Sequence, residues 1–149
     1  MSCILGFDVG SRLTGVAVGN MLTVSARPLG TVAMREGNPD WRQLDAMRDA
    51  WLPDMLVVGL PLQLDGSEQA SSRAARSFAS ELHSRYALPV AFVDERDSSR
   101  EAAQRFARAR ASGSRRRSDR AGIDADAAAI ILERWLLQSA SGTSKITPG

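Results

Sequence analysis

Apolar positions fall in short runs and helical stripes, and their order along the chain outlines a fold. Ile4, Leu5 and Phe7 form a compact run that reads as a strand made for burial. After a VGSR turn, LTGVAVGN suits a second strand, and TVSARPLGTVAM, 23–34, reads as a third. The chain to residue 34 is thus a three-stranded meander. NPDWRQLDAMRDAW then predicts a helix. Asn38 is placed to cap it, Pro39 to occupy its first turn, and Trp41, Leu44, Met47 and Trp51 share one face. DMLVVGL, 54–60, is a continuous apolar run, the mark of a strand buried on both faces. A helix over about 67–86, with Ala74, Phe78, Leu82 and Tyr86 as its inner stripe, leads to another buried strand in LPVAFVDER, 88–96. Ser98 and Glu101 form a capping-box pattern that opens a further helix. The last helix spans about 124–138, and SASGTSKITPG reads as a loose tail.

The order β-β-β-α-β-α-β-α-α predicts an α/β fold: a mixed five-stranded sheet, a meander joined to parallel strands, with helices on both faces. With no internal repeat or linker in 149 residues, the expectation is one domain, 1–138, followed by a flexible tail, 139–149.

Composition narrows the function classes. Hydrophobic residues at 44% and charged residues at 24% are ordinary for a globular protein, and no basic-then-apolar leader or membrane-length apolar run is present. A cytoplasmic protein is therefore expected. The single cysteine, Cys3, excludes an internal disulfide and reads as a small core residue. The single histidine, His83, lies in a helical stretch and leaves no zinc-type ligand cluster to assemble. No G-x-S-x-G occurs, which weakens a serine-hydrolase reading. The net charge of +2 is unevenly laid out. ARARASGSRRRSDRAG, 107–122, concentrates Arg108, Arg110, Arg115, Arg116, Arg117 and Arg120 against Asp119 alone. Such a run is either a solvated loop or an arm that contacts phosphates.

Carboxylates end two of the expected buried strands, Asp8 on the first and the pair Asp94–Glu95 on the last, and Asp124 and Asp126 open the final helix. Each alone has a plain structural reading as strand end, turn or cap. Together they are oxygen donors at the carboxyl ends of strands, where open α/β sheets form a crevice. Oxygen donors without histidine or cysteine suit a hard cation, Mg²⁺ or Mn²⁺, and paired ions of that kind activate water against phosphodiesters.

FDVGSRLTGVAVG, ARPLGT, VVGLPLQLDGSEQ, VDER and IDADAAAIILERWL stand in the order in which the YqgF (RuvX) family carries similar blocks, over about residues 4–137. The resemblance implies an RNase H-like fold and a cytoplasmic nuclease that matures the 5′ end of pre-16S ribosomal RNA. On the matching positions it implies Asp8, Glu95 and Asp124 as catalytic metal ligands for Mg²⁺ or Mn²⁺. Asp94 is a neighbour and Asp126 stands at a variable position. The sequence departs from the family in DSS after D-E-R, which brings Asp97 near the proposed site, and in RAG before the I-D block, where family members often carry lysine.

Nucleic-acid contacts are expected from Arg12 and Arg96, next to the acids, and from Arg115, Arg116, Arg117 and Arg120 in the arm. The expected partner is RNA, in a pre-ribosomal particle, with the protein a monomer or weak homodimer and no membrane contact. The alternatives are a Holliday junction resolvase acting on branched DNA as a dimer, and a non-catalytic nucleic-acid-binding regulator. A sugar-kinase or actin-like ATPase, whose first phosphate loop is similar to FDVGSRLTGVAVG, would need a second such loop that the chain lacks.

Overall fold

A computed structural model of the chain describes residues 3–63, 65–94 and 120–140. Its strands are β1 (Cys3–Asp8), β2 (Leu13–Asn20), β3 (Ser25–Arg35), β4 (Asn38–Pro39), β5 (Met55–Leu60) and β6 (Val90–Asp94). The described helices are α1 (Trp41–Trp51), α2 (Ala70–Tyr86) and α3 (Arg120–Ala140). The sheet order is β4-β3-β2-β1-β5-β6. The meander β1-β2-β3 is antiparallel, while β1, β5 and β6 run parallel.

Alternation along the central strands builds two cores. Leu5, Phe7, Val16 and Val18 face α1 and α2, where they meet Leu44, Phe78 and Leu82. Phe7 and Phe78 pack edge to face, with ring centroids 5.4 Å apart. Ile4, Ala17, Val57 and Ala91 face the other way, against Ala128, Ile131, Leu132 and Trp135 of α3. Helices thus cover both faces, as the strand order required. Cys3 packs at the edge of the first core, where burial, and secondarily the charge of Asp54, pushes its thiol pKa up. His83 is exposed on α2, its Nδ1 2.9 Å from the Leu88 carbonyl.

Several expectations about element ends are corrected. The sheet has six strands rather than five, because Asn38 and Pro39 continue as β4 against Arg35 and Met34 instead of starting a helix. The α1 cap is therefore Asp40, whose Oδ1 accepts from the backbone N–H groups of Arg42 and Gln43 at 3.1 and 3.4 Å. The second helix begins at Ala70 rather than near residue 67, because Leu62 and Glu68 bridge across a turn held by Asp65, which accepts from Ser67. Its inner face is Ser72, Ala75, Phe78, Ala79 and Leu82. Ala74 is exposed and Tyr86 only half-buried, because the stripe through Phe78 and Leu82 runs back through Ala75 and Ser72 rather than through Ala74. The α3 helix is longer than expected at both ends. The Ser98–Glu101 capping box, the helix expected after it, the arginine-rich arm to residue 119 and the tail from 141 lie outside the described residues. Among the described residues no helix is long and apolar enough to cross a membrane.

Candidate active site

Asp8 is the last residue of β1, and its place follows from strand register. Phe7 pairs with Val16, and both belong to the core beneath α1 and α2. The next pair, Asp8 and Gly15, therefore lies on the opposite face, the one covered by α3. Paired residues in an antiparallel ladder stand about 5 Å apart at Cα. Gly10 permits the short return from β1 to β2, because a Cβ there would lie 2.2 Å from the Leu13 carbonyl oxygen.

Gly15 is also where α3 sits down. A Cβ at that position would lie 1.9 Å from the carbonyl oxygen of Asp124 and 3.1 Å from the nitrogen of Ala125. The first turns of α3 thus rest on the residue paired with Asp8, which brings Asp124 beside the end of β1. On α3, Asp124 continues the stripe of Ala128, Ile131 and Trp135, which packs on the sheet. The two acids, remote in sequence, share one end of one layer. Each is half-buried, and each is held by at least one interaction.

The remaining acids fall elsewhere. Leu60 pairs with Asp94, and Leu60 belongs to the core under α1 and α2, so Asp94 lies on the face away from Asp8. Its backbone carbonyl accepts from Arg134 Nη1 at 3.2 Å, which ties the end of β6 to α3. Asp126 is buried, at 5% exposure, on the flank of α3 one turn before Ile130, and it too is engaged. Sequence reasoning missed this burial, the Arg134 tie and the role of Gly15. The T-G pair ahead of a small-residue strand was the one available signal for the last.

Glu95 and Arg96, together with Asp97 and Arg115, Arg116 and Arg117, lie outside the described residues. Arg120 is the first residue of α3. Arg12 is exposed in the β1–β2 turn beside Asp8, and its carbonyl accepts from the Met34 N–H at 2.8 Å. Among the described residues no three His, Cys, Asp or Glu side chains group together. What the described residues present is a pair of carboxylates with an arginine at its rim, a donor set of hard oxygens that suits Mg²⁺ or Mn²⁺ rather than a soft metal.

Comparison with known proteins shows the family and the fold. A family model described as RuvX, Holliday junction resolvase, matches residues 2–138. A protein of Xanthomonas axonopodis pv. citri named "Putative pre-16S rRNA nuclease" is 54% identical over 133 residues, 89% of this chain and 86% of the relative. A protein of the same name from Xanthomonas euvesicatoria pv. vesicatoria is 52% identical over 141 residues, 95% of this chain and 91% of the relative. Among solved structures, Thermus thermophilus RuvC in complex with a Holliday junction substrate superposes with a TM-score of 0.58 at 18% identity, covering 99% of this chain and 100% of RuvC. The yeast mitochondrial Holliday junction resolvase Ydc2 gives 0.52 at 10% identity, covering 94% of this chain and 81% of its own. These two likenesses establish the RuvC-like, RNase H-type fold. With the family model spanning nearly the whole chain and relatives more than half identical, the protein belongs to the RuvX (YqgF) family.

Proposed function

We propose that the protein is a divalent-cation-dependent nuclease that hydrolyses phosphodiester bonds in RNA, acting in the cytoplasm on the 5′ end of precursor 16S ribosomal RNA. The observation that carries the reading is the seating of Asp124 on Gly15, the ladder partner of Asp8. It joins two carboxylates 116 positions apart in the sequence at the carboxyl end of a parallel strand, where α/β sheets bind ligands. The choice of RNA rests on the names of the relatives.

Asp8, Asp124 and Glu95 are the residues that would hold Mg²⁺ or Mn²⁺, which when bound supplies Lewis acidity toward a phosphoryl oxygen. The chain's own contribution is preorganisation. The backbone of Asp8 is fixed by the ladder to β2 and that of Asp124 by the packing of α3, so both acids are held at one end of the sheet before substrate arrives. Arg12, exposed beside them, is placed to meet non-bridging phosphate oxygens. Arg96 and the arm residues Arg115, Arg116, Arg117 and Arg120 are assigned to the backbone of the bound strand, a contact that carries charge but no sequence information.

The family description favours a second reading, a Holliday junction resolvase. Symmetric cutting needs two such sites facing one junction, and hence a dimer. The experiment is a gel-resolved cleavage assay at low salt, with and without Mg²⁺. It offers a 5′-extended 16S precursor RNA and a four-way DNA junction in parallel, with Asp8→Asn as control. Metal-dependent RNA cutting that Asp8→Asn loses while still binding RNA supports the proposal. Symmetric nicking of the junction alone would select the resolvase, and retained turnover in Asp8→Asn would remove the assigned site.

A further inference from the structure

Five arginines among the described residues are engaged. Arg85 grips Asp45, Arg76 grips Glu68, Arg48 pairs with Asp49, Arg27 lies over the Trp51 ring and Arg134 donates to the Asp94 carbonyl. Arg73, exposed on α2, acts on Glu68 only through its charge. Arg12, Arg35 and Arg42 do none of this and are all exposed. These three are also neighbours. Met34 donates to the Arg12 carbonyl at 2.8 Å, placing Arg12 next to Arg35 at the end of β3. Asp40, two residues before Arg42, donates its N–H to the Ala33 carbonyl at 2.8 Å, and Gln43 Oε1 accepts from the Ala33 N–H at 2.9 Å. A cleft of about 370 Å³ opens between Arg35, Ala33, Met34, Pro39 and Asp40. Two acids share this corner. The Asp40 carboxylate is turned into the α1 cap, and Glu36 is exposed in the β3–β4 turn.

We infer that this corner, with Arg35 and Arg42 as its new members beside Arg12, is a phosphate track for the strand of nucleic acid leaving the active site across the β3–β4 edge. The inference rests on the nuclease reading above. Three exposed guanidinium groups without carboxylate partners complement a polyanion and stand on the side of Asp8 away from β5 and β6. Thr31 of β3 is in register with Gly15 and Asp8, and Arg35 stands four residues beyond it. At about 4.8 Å between strands and about 3.3 Å per residue, Arg35 lies roughly 16 Å from Asp8. A single strand of a few nucleotides spans that distance.

The test is RNA binding by fluorescence anisotropy over a salt series in EDTA, where no metal-dependent cutting runs. The double variant Arg35→Ala, Arg42→Ala is compared with Arg73→Ala, an exposed arginine on α2. Each lost single-strand phosphate contact lowers the slope of log affinity against log salt by about 0.7, so the double variant is expected to lose about 1.4. Arg73→Ala should leave the slope unchanged, and Glu36→Lys should steepen it. Trimming the RNA back to the cut on the side that crosses β3 should erase the difference between the double variant and the wild type. An unchanged slope in the double variant, or an equal loss in Arg73→Ala, overturns the track. A wild-type chain that cuts no RNA while the double variant still loses slope would defeat the nuclease reading and leave the track standing.

Discussion

A methyl group added at Gly15 would lie 1.9 Å from a backbone oxygen of α3, which cannot swing aside as a side chain can. Gly15→Ala should therefore lift the start of α3 off the sheet and cost roughly 1–3 kcal/mol of stability, as overpacking does. Cleavage should fall further than the lost stability explains, because Asp124 moves with the backbone; denaturant melts and turnover on the same samples check this. Thr14, one residue earlier, is fully buried, and its hydroxyl has no hydrogen-bond partner among the described residues. Thr14→Val keeps the shape and removes the orphaned group, so it should raise stability by about 1 kcal/mol in the same melts. At this scale the sequence was legible in residue type: carboxylates at two strand ends and at the start of the last helix stood out as oxygen donors. Which face each takes was not legible, and the register puts Asp94 on the face away from Asp8. The sequence was silent where tertiary neighbours decide: Asp126 read only as an acid opening the final helix at a variable position, and its burial is set by what packs on that flank of α3.

Elements were legible in kind and order, and the errors lie at their ends. The apolar runs of β1, β5 and β6 and the stripe of α1 announced themselves by period. Asn38 and Pro39 were misjudged as a helix start because cap preference is local, whereas pairing with Met34 and Arg35 is a tertiary choice. Asp40→Ala should accordingly cost about 1 kcal/mol of stability, the usual loss of an N-cap, while Asn38→Ala costs little. Helix α1 is clamped to α2 by one polar cluster. Asp45 accepts from Arg85 at 2.9 and 2.6 Å and from the Tyr86 hydroxyl at 2.6 Å, and the Arg85 guanidinium lies over the Trp41 ring. The hydrogen bonds from Arg85 and then Tyr86 hold the Asp45 carboxyl well below the usual carboxylate range. A carboxyl depressed by folding stabilises the native state above its unfolded value, about 3.9, and loses that contribution as the pH falls below it. The difference in melting temperature between wild type and Asp45→Asn should be present at pH 7 and shrink steadily below about pH 4. A difference that grows in acid would contradict the assignment.

On the scale of the whole molecule, strand order turns distant residues into a site. Because β1 lies between β2 and β5, its carboxyl end is central to the sheet, and α3 returns to cover it from one side only. The acids thus occupy one end of the α3 layer, and the unpaired arginines flank it across β2 and β3. That architecture was readable from the order of elements; the seating of α3 on Gly15 was not, since no local pattern reports how closely a helix approaches a sheet. We propose that Asp8 and Asp124, but not Asp94, belong to one cation site, and Mn²⁺ titration by calorimetry tests this without reference to any substrate. Asp8→Asn and Asp124→Asn should each lose Mn²⁺ binding, while Asp94→Asn retains the wild-type isotherm. Wild-type binding in both of the first two, or loss confined to Asp94→Asn, would contradict it.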